Sequence, residues 1–403
     1  MEGQVLEGIK VADFSWVIAG PSTTRYLADH GAQVVKVESK TRVDSIRTMA
    51  PFKDGLPGIN RSGLFAAFNS SKYSLALNLN HSRAKEVATR LIEWADIVVE
   101  NFTPGTMGRW GLGYEDLVKI KPDIIMASSS IHGQTGLFAK HPGLGALQVS
   151  LSGITNLTGY PDREPVQPYG VYPDFIAPPL LCAAILAALD YRRRTGKGQH
   201  LDISQNEASI YFISPVILDY AANDVIETRV GNRCPDAAPH GVYPCKGDDR
   251  WCAIAVFTDD EWQAFCEVIG RPELITDGKF ATLLARKANE DELDALVAEW
   301  TVNHTPEEVM ASMQEAGVAA GVVETAEDLL SDPQLEYRHH YWRLNHPEMG
   351  PYSSAGPPYK MSKTKAVLRA APCLGQDTEY VCTKLLGFSD KDFLSLLDAG
   401  VLE

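Results

Sequence analysis

The chain has 403 residues and a mass of 44.1 kDa, with 45% hydrophobic and 22% charged residues. This composition is typical of a folded globular protein of roughly two to three domains, and it excludes disordered, collagen-like and coiled-coil chains. The 52 acidic and 37 basic residues give a net charge of −15, which repels nucleic acid and anionic lipid. An anionic ligand therefore needs a local cluster of basic residues.

Cysteine usage and hydropathy indicate the compartment. The seven cysteines include no CxxC pair, and their odd number predicts reduced thiols. No basic and apolar leader segment is evident, so we expect a cytoplasmic protein. The most apolar segment, residues 175–189, contains Pro178 and Pro179 and is shorter than the roughly 20 residues that a membrane span needs. We expect no membrane and no nucleic acid among the partners.

The first 130 residues alternate β-branched segments with amphipathic ones. A helical pattern ends at His30, with Pro21 near its start and Gly31 placed as a C-terminal cap, and a second helix is predicted over 82–94. Strands are predicted at 10–14, 32–38, 74–79, 95–100 and 123–128. This strand–helix–strand order is typical of a parallel sheet, so we expect an α/β fold with a doubly wound, Rossmann-like sheet.

The second half of the chain changes character after a helix predicted over 180–194. From about Val230 to Gly321 the pattern indicates a smaller α+β unit. Its expected elements are a strand at 251–256, helices near 261–269 and 293–299, and a turn at 316–321. A segment rich in Pro, Gly and Tyr follows, and the chain ends in two predicted helices, 378–386 and 390–397.

The first βα turn, residues 15–21, lies where a Rossmann-like protein holds phosphate on a helix N-terminus. It has one glycine, Gly20, and no GxGxxG pattern. Because the glycines that let a backbone approach a pyrophosphate are missing, a nicotinamide- or flavin-dependent oxidoreductase is a distant alternative. A plain sheet-to-helix turn is the other interpretation.

The loop over residues 100–112 follows a buried strand at the carboxyl edge, where open α/β sheets bind ligands. Asn101 can hydrogen-bond an amide or adenine edge, Phe102 can stack, and Arg109 can hold a phosphate with its planar guanidinium. An ordinary surface loop explains the same residues equally well.

Asp174 lies between apolar neighbours, just ahead of a helix that Pro178 and Pro179 are predicted to open. Burial raises the pKa of a carboxyl and a helix N-terminus lowers it. We expect an ionised but poorly hydrated carboxylate, which is a usable nucleophile. A helix-capping acid is the alternative interpretation.

Several other catalytic patterns are absent from the sequence. It contains no GxSxG, no GxxxxGK[ST], no HExxH and no CxxC pattern, so hydrolase, kinase and zinc-site interpretations lose their support. His339, His340 and His346 are close in sequence, but such loop histidines are more often solvated than metal-bound. We expect no metal site.

The chain resembles the family III CoA-transferases, also called the CaiB/BaiF family. The likeness is highly specific, covers essentially the whole chain, and is carried by residues 6–14 leading to 19–21, and by 31–38, 69–74, 96–109, 148–174 and 371–376.

This resemblance implies a large CoA-binding domain built from residues 1–200 and 345–403, and a small domain over 225–325. It also implies two chains interlocked like linked rings, as a homodimer or as a heteromer with a related subunit. No tightly bound cofactor is implied, because coenzyme A acts as a substrate.

The resemblance places Asp174 on the family's catalytic aspartate. It places CoA along ten residues: Ile18, Ala19, Ser71, Lys72, Asn101, Phe102, Thr103, Arg109, Lys140 and His141. Some family members carry a basic residue where this chain has Ser39, so Arg42 or Arg47 is expected to hold the phosphates instead.

The expected reaction moves CoA from an acyl-CoA donor, with succinyl-CoA preferred, to a small organic acid. A second carboxylate on the acid would need a cation, for which Arg47, Arg233 and His240 are candidates, although solvated surface charge explains them equally well. Residues 239–244 are not a polyglycine loop, which argues against the formate specificity of some members.

Two alternatives remain. The related α-methylacyl-CoA racemases pair a histidine with an aspartate, and alignment places Leu144 at the histidine position, which removes one half of the acid–base pair. The other alternative is a CoA-binding partner subunit of a heteromeric transferase.

Overall fold

The computed structural model describes residues 3–403, which form two compact units. The larger unit comprises residues up to 155 together with 167–226 and 336–403. The smaller unit comprises residues 156–166 and 227–335. It therefore extends ten residues beyond the end predicted for the small domain and includes a short segment from far earlier in the chain.

The larger unit is built on a sheet of six parallel strands in the order β3-β2-β1-β4-β5-β6. The strands are β1 Lys10–Asp13, β2 Gln33–Glu38, β3 Tyr73–Ala76, β4 Ile97–Glu100, β5 Ile125–Ser130 and β6 Gln199–Ser204. The parallel α/β sheet predicted from the sequence is confirmed. The strand order reverses between β1 and β4, which makes the carboxyl ends of these two strands the expected ligand edge.

Strand β6 was not predicted. Its sequence alternates polar and apolar residues, and its burial alternates along the strand because it lies at the sheet edge with a single neighbour. The basic residues and glycines just before it resemble a helix end followed by a turn, which hides the strand that begins there.

Ten α-helices, some of which pack on the two faces of this sheet, lie within the described residues up to 226. They are α1 Ala19–Asp29, α2 Gly63–Phe68, α3 Ala84–Trp94, α4 Thr106–Arg109, α5 Tyr114–Ile120, α6 Gly145–Leu151, α7 Ile154–Leu157, α8 Pro173–Thr195, α9 Gln205–Phe212 and α10 Ser214–Asn223. Helix α3 contributes Val87 and Leu91 to the core on one face, whereas Leu27 of α1 and Ile185 of α8 belong to the core on the other.

Helix α8 begins earlier than predicted, at Pro173, and keeps Pro178 and Pro179 inside it. Its length and apolar composition would also allow it to cross a membrane, contrary to the expectation that this segment is too short. Leu181 and Ile185, however, are fully buried in the core that also contains strand residues of the sheet. Seven of its 23 residues are buried, so one face of the helix packs in this core and much of the rest is exposed.

The smaller unit contains an antiparallel sheet in the order β7-β8-β9. Its strands are β7 His240–Pro244, β8 Trp251–Ala255 and β9 Ala319–Val322, and its helices are α11 Asp259–Val268, α12 Leu283–Ala288, α13 Glu290–Thr301, α14 Pro306–Glu315 and α15 Ala326–Ser331. Strand β9 lies where a turn was predicted. Its alanine and glycine residues have low strand propensity, and pairing with β8 overrides that preference.

The last 68 residues return to the larger unit. After α16 Pro333–Tyr337 they form a hairpin of β10 Tyr341–His346 and β11 Gly350–Ala355, then α17 Thr378–Tyr380, a π-helical turn Val381–Leu385 and α18 Asp390–Asp398. Val381, Leu396 and Leu402 join the core beside Leu75 and Leu77, so both ends of the chain build the same unit.

Candidate active site

Asp174 lies in the first turn of α8, with 8% of its surface exposed. Its backbone N–H donates to the Val171 carbonyl at 2.8 Å, whereas no residue from 3 to 403 donates a hydrogen bond to its carboxylate. Burial alone raises the pKa of Asp174 to about 7. The sequence predicts an ionised but poorly hydrated carboxylate; in the structure burial outweighs the helix N-terminus, so the pKa is raised and the ionised form is less favoured than for an ordinary aspartate.

The chain approaches Asp174 closely because Gly145 has no side chain. A methyl group built on Gly145, at the start of α6, would lie 3.1 Å from Oδ2 of Asp174 and 2.4 Å from Cβ of Val171. Within α8, Pro178 has no N–H, so the Asp174 carbonyl receives no helical hydrogen bond from it. The Asp174 carboxyl lies in a narrow space beside Gly145 and Val171, where few groups can stabilise its charge.

The turn after β1 is rigidly held. Val17 has a φ of 64°, which is unusual for a β-branched residue, and its N–H donates to Oδ1 of Asp44 at 3.1 Å. The Asn101 side chain accepts a hydrogen bond from the Trp16 N–H and donates one to the Trp16 carbonyl, both at 2.7 Å. Asn101 therefore fixes Trp16 with both ends of its amide.

Trp16 forms one wall of a cleft of about 370 Å3 at the carboxyl edge of the sheet, which we call the Arg109 cleft. Phe102 meets the Trp16 ring edge-on at 5.7 Å. The guanidinium of Arg42 lies 5.5 Å from the Trp16 ring, and Arg109 donates to Oγ1 of Thr106 at 2.9 Å. Further lining residues include Thr103, Ser39, Asn78, Asn80 and Trp110. Two exposed arginines beside aromatic rings suit a phosphate-bearing ligand with a planar base.

Of the ten predicted CoA-binding residues, Phe102, Thr103 and Arg109 line this cleft. Ile18 and Ala19 are buried at the start of α1. Lys140 and His141 are exposed on the segment before α6, where the His141 ring contacts Phe138 at 5.0 Å. The sequence analysis pointed to the turn over residues 15–21 and to Arg42. It did not assign Trp16 or Trp110 to the binding site.

Ser71 and Lys72 have internal partners instead. The Lys72 ammonium is fully buried and donates to Asp13, Asn69 and the Pro21 carbonyl at 2.9–3.0 Å. The Ser71 hydroxyl donates to Asp29 at 2.7 Å. The Lys72 ammonium therefore uses its three hydrogen-bond donors within the protein. This differs from the CoA-binding role that the resemblance implies.

Lys72 belongs to a buried ionic network beneath the Arg109 cleft. Lys36 pairs with Asp44 at 3.1 Å, and Arg47 pairs with Glu38 through two bonds of 2.7 and 2.8 Å, all with side chains that are completely buried. Burial raises the pKa of Glu38, but Arg47 outweighs it and holds that pKa below its usual value. The expectation that Arg47 binds phosphate or a second carboxylate is therefore wrong, because its guanidinium is already used.

In the smaller unit, Arg233 is also committed to acidic partners. It donates to Asp291 and to Asp294 and lies 3.5 Å from Glu290, so these residues compete with a substrate carboxylate for its guanidinium. His240 contacts the Asn232 carbonyl through Nδ1 at 2.5 Å and lines a cleft on the sheet of this unit.

Glu100, at the end of β4, is a second buried carboxyl that the sequence did not reveal. Burial raises its pKa to about 7, and its Oε2 accepts a hydrogen bond from the Phe102 N–H at 2.8 Å. It thereby fixes the loop that carries Phe102. Among residues 3–403, no three His, Cys, Asp or Glu side chains come close enough together to hold a metal ion.

Comparison of the sequence with family models establishes the family of this chain. Residues 6–378 match the family model described as CoA-transferase family III. The chain belongs to CoA-transferase family III.

Relatives in this family transfer CoA between acyl-CoAs and organic acids. The succinyl-CoA–D-citramalate CoA-transferase of Chloroflexus aurantiacus is 33% identical over 395 residues, which cover 98% of this chain and 97% of that protein. The succinyl-CoA:glutarate CoA-transferase of Mus musculus is 30% identical over 400 residues, which cover 99% and 90%. Other relatives are named for mesaconate and oxalate. The chain spans only 50% of a longer, 34% identical relative from Mycobacterium tuberculosis.

The fold matches as well. The crystal structure of a CaiB/BaiF family protein from Brucella suis superimposes with a TM-score of 0.87 at 31% identity, covering 95% of this chain and all of the other. The parallel sheet and its helices are therefore those of a CaiB/BaiF protein.

Proposed function

We propose that this family III protein transfers CoA from succinyl-CoA to an organic acid by covalent catalysis at Asp174. A carboxylate oxygen of Asp174 attacks the donor thioester carbonyl, which forms an acyl-aspartyl anhydride and releases CoA thiolate. The thiolate then attacks the aspartyl carbonyl and releases the donor acid, leaving an aspartyl-CoA thioester. The acceptor carboxylate attacks the carbonyl of that thioester, which forms a second aspartyl anhydride and releases CoA thiolate. The thiolate then attacks the acceptor carbonyl of this anhydride, which forms the new acyl-CoA and releases the Asp174 carboxylate. Covalent intermediates divide one difficult exchange into easier steps.

The observation that supports this proposal most directly is the unpaired, buried carboxyl of Asp174. A structural aspartate at a helix start normally accepts hydrogen bonds that stabilise its charge, and they lower its pKa. Asp174 has no such donor, and burial raises its pKa to about 7. A poorly solvated carboxylate has a smaller free-energy cost of desolvation when it attacks a carbonyl carbon.

The Arg109 cleft is the proposed site for the nucleotide end of CoA. Its aromatic rings can stack on adenine, and Arg42 and Arg109 can pair with phosphates. Ile18, Ala19, Asn101, Lys140 and His141 stay as predicted contacts for the rest of the coenzyme. Asn101 acts through Trp16, since its amide is already bonded to that residue.

We propose a dicarboxylate as the acceptor. D-Citramalate and glutarate, named for the two relatives above, both carry two carboxyl groups. Of the three cations considered from the sequence, Arg47 is buried in its pair with Glu38, whereas Arg233 and His240 line a cleft of the smaller unit.

A racemase activity has no support at its diagnostic position. Leu144, which stands where racemases have a histidine, is 74% exposed and cannot move a proton. An acyl-CoA incubated with the protein in deuterium oxide should therefore gain no deuterium at its α-carbon, whereas a racemase would exchange it.

The transfer mechanism is tested at Asp174 directly. We expect Asp174→Ala to reduce transfer to a trace, and we expect hydroxylamine to trap a modified Asp174 in the wild type only in the presence of acyl-CoA, as detected by mass spectrometry. Asp174→Glu is the matched variant, since it keeps the carboxyl but moves it by one methylene. Substantial transfer by Asp174→Ala would refute the proposal. Asp174→Asn needs mass measurement, because slow deamidation restores aspartate.

We further propose that the protein works as an interlocked dimer in the cytoplasm. Helix α10 has the sequence of a buried helix, yet none of its residues is buried, and Ile217 and Leu218 are at least half exposed. Apolar surface of this kind is normally covered by a partner. A heteromer with a related subunit is the alternative assembly, as in the L-malate relative of Chloroflexus aurantiacus, which is named as a beta subunit.

Light scattering tests the assembly. We expect a dimer for the wild type, whereas Leu218→Asp should fail to assemble as it folds, because interlocked chains cannot separate once they are folded. Leu284→Asp, on an equally apolar and exposed leucine of the smaller unit, is the matched control and should stay dimeric. A monomeric wild type that becomes active only with a second subunit would indicate the heteromer.

A further inference from the structure

A second cleft, of about 430 Å3, lies at the C-terminal end of α1, where His30 follows the helix. We call it the Lys360 cleft. Eight of its thirteen lining residues are basic or aromatic and none is acidic: His30, Arg338, His339, His340, Trp342, Tyr359, Lys360 and Lys365. Its volume is in the range of small-molecule sites.

The Lys360 cleft is far from the Arg109 cleft. Helix α1 has 11 residues and is therefore about 16 Å long, and the turn that carries Trp16 lies at its other end. His30 is followed at once by strand β2, which begins at Gln33. The cleft thus lies at the amino edge of the sheet, opposite the edge where the catalytic machinery is proposed.

The lysines of this cleft lie in a segment without acidic residues. Residues 349–376 include four basic residues and no acidic one, in a chain with 15 more acidic than basic residues. Within residues 3–403, Lys360 and Lys365 form no ion pair, unlike the paired Arg233 and Lys72. Clustered cations repel one another, so an anion bound between them would be stabilised by several charges at once.

Tyr359 and Trp342, which form the aromatic wall of the Lys360 cleft, are held in place by neighbouring residues. The Tyr359 ring stacks on His30 with centroids 5.2 Å apart and an angle of 16°. Gly356 donates its N–H to the His340 carbonyl at 2.8 Å, and a methyl group on Gly356 would lie 2.6 Å from Nε1 of Trp342. The glycine is therefore needed for Trp342 to take this position in the wall.

We propose that the Lys360 cleft binds a nucleotide-like anion, with its planar base against Trp342 and Tyr359 and its phosphates between Lys360, Lys365 and Arg338. A free nucleotide such as ADP and the 3′-phospho-ADP end of coenzyme A share this chemistry. The site is additional to the transfer reaction and does not depend on the assignment of Asp174. It would make the protein responsive to the supply of nucleotide or of free coenzyme.

Calorimetry with the full chain tests the site with three probes: ADP, pyrophosphate and adenosine. We expect ADP to fill two classes of site in the wild type, and to bind more tightly than pyrophosphate or adenosine because it offers both base and phosphates. Lys360→Gln or Lys365→Gln should weaken one class by roughly three- to tenfold, as expected for the loss of a charge-assisted contact. Arg109→Ala should weaken only the other class.

Lys363→Gln is the matched control, because Lys363 lies between the two lining lysines but does not line the cleft. It should change ADP binding less than twofold, and none of the three lysine variants should change the melting temperature. Wild-type ADP binding by both single variants, or equal weakening by Lys363→Gln, would refute the proposal.

Coenzyme A distinguishes the two sources of the ligand. If Lys360→Gln weakens binding of coenzyme A in the Arg109→Ala background, the occupant is the coenzyme. If that binding is unchanged while ADP binding is weakened, the occupant is a free nucleotide.

Discussion

Gly145 and Asp174 are in contact across two helices: a methyl group on Gly145 would lie 3.1 Å from Oδ2 of the Asp174 carboxyl. The missing side chain on α6 thus sets the shape of the space around the proposed nucleophile on α8. Because the same methyl group would lie only 2.4 Å from Cβ of Val171, the space has no room to spare.

Gly145→Ala should therefore reduce both stability and activity. Overpacking of a tight contact costs about 1–3 kcal/mol, and relief of the clash must move Val171 or Asp174. Chemical denaturation measures the loss in the free energy of unfolding, and kcat measures the displacement of the nucleophile. The double variant Gly145→Ala/Val171→Gly removes the worse clash and should recover part of the stability. If Gly145→Ala is as stable and active as the wild type, the contact does not limit the site.

The rate should depend on the ionisation of Asp174. Burial raises the pKa of Asp174 to about 7, and only the ionised carboxylate attacks the thioester. We expect kcat/KM to fall about tenfold per pH unit below pH 7 and to level off above it. The acid substrates ionise well below this range, so they do not contribute to the profile. A flat profile from pH 5 to 9 would show that the free enzyme keeps Asp174 ionised.

The same pKa has a consequence for stability. The folded chain holds the Asp174 proton up to about pH 7, whereas the unfolded chain loses it near 3.8, the ordinary pKa of an aspartate. The contribution of Asp174 to stability therefore falls as pH rises from about 4 to 7. Asp174→Asn should be more stable than the wild type by roughly 2–4 kcal/mol at pH 8, and nearly equal to it at pH 4. Urea denaturation at the two pH values measures the difference.

A substitution at Lys72 tests whether this residue stabilises the fold or binds the coenzyme. Lys72→Met removes one partner of the buried Asp13–Lys72 pair and leaves the Asp13 charge with Lys36 and two hydroxyl donors but no direct ion pair. We expect a loss of about 3–5 kcal/mol in the free energy of unfolding. The KM for acyl-CoA of the remaining folded protein should change little. Normal stability with a KM raised more than tenfold would instead assign Lys72 to the coenzyme.

Arg109 should act on binding. A guanidinium on CoA phosphates contacts ground and transition states about equally, so Arg109→Ala should raise KM roughly ten- to a hundredfold with kcat nearly unchanged. The effect should shrink in high salt, because Arg109 is exposed. Arg109→Lys should recover only part of the affinity, since lysine lacks the planar fork. Arg193→Ala, on an arginine paired only with Asp190, is the control. A collapsed kcat with normal KM would place Arg109 beside the reacting atoms.

The α/β fold was predictable because its signals are local. Five of the six parallel strands were found from runs of β-branched residues, and the sixth, β6, escaped because an edge strand buries only alternate residues. The approximate position of Asp174 at a helix start was likewise readable from the sequence. The exact start of α8 was not, because Pro178 and Pro179, normally placed in the first turn, lie inside this helix.

The tertiary structure decided which basic side chains are available to bind a ligand. The sequence gives Lys72, Arg47 and Arg233 the same chemistry as Arg42 and Arg109. Only folding brings Asp13, 59 residues away, against Lys72, and Glu38 against Arg47. A buried charge must be paired, so Glu38 and Asp13 occupy the buried Arg47 and Lys72, whereas Arg42 and Arg109 stay exposed at the cleft. Arg233 is exposed but lies among three acidic residues. The raised pKa of Asp174 has the same origin, because it depends on which neighbours are absent and not on the residue itself.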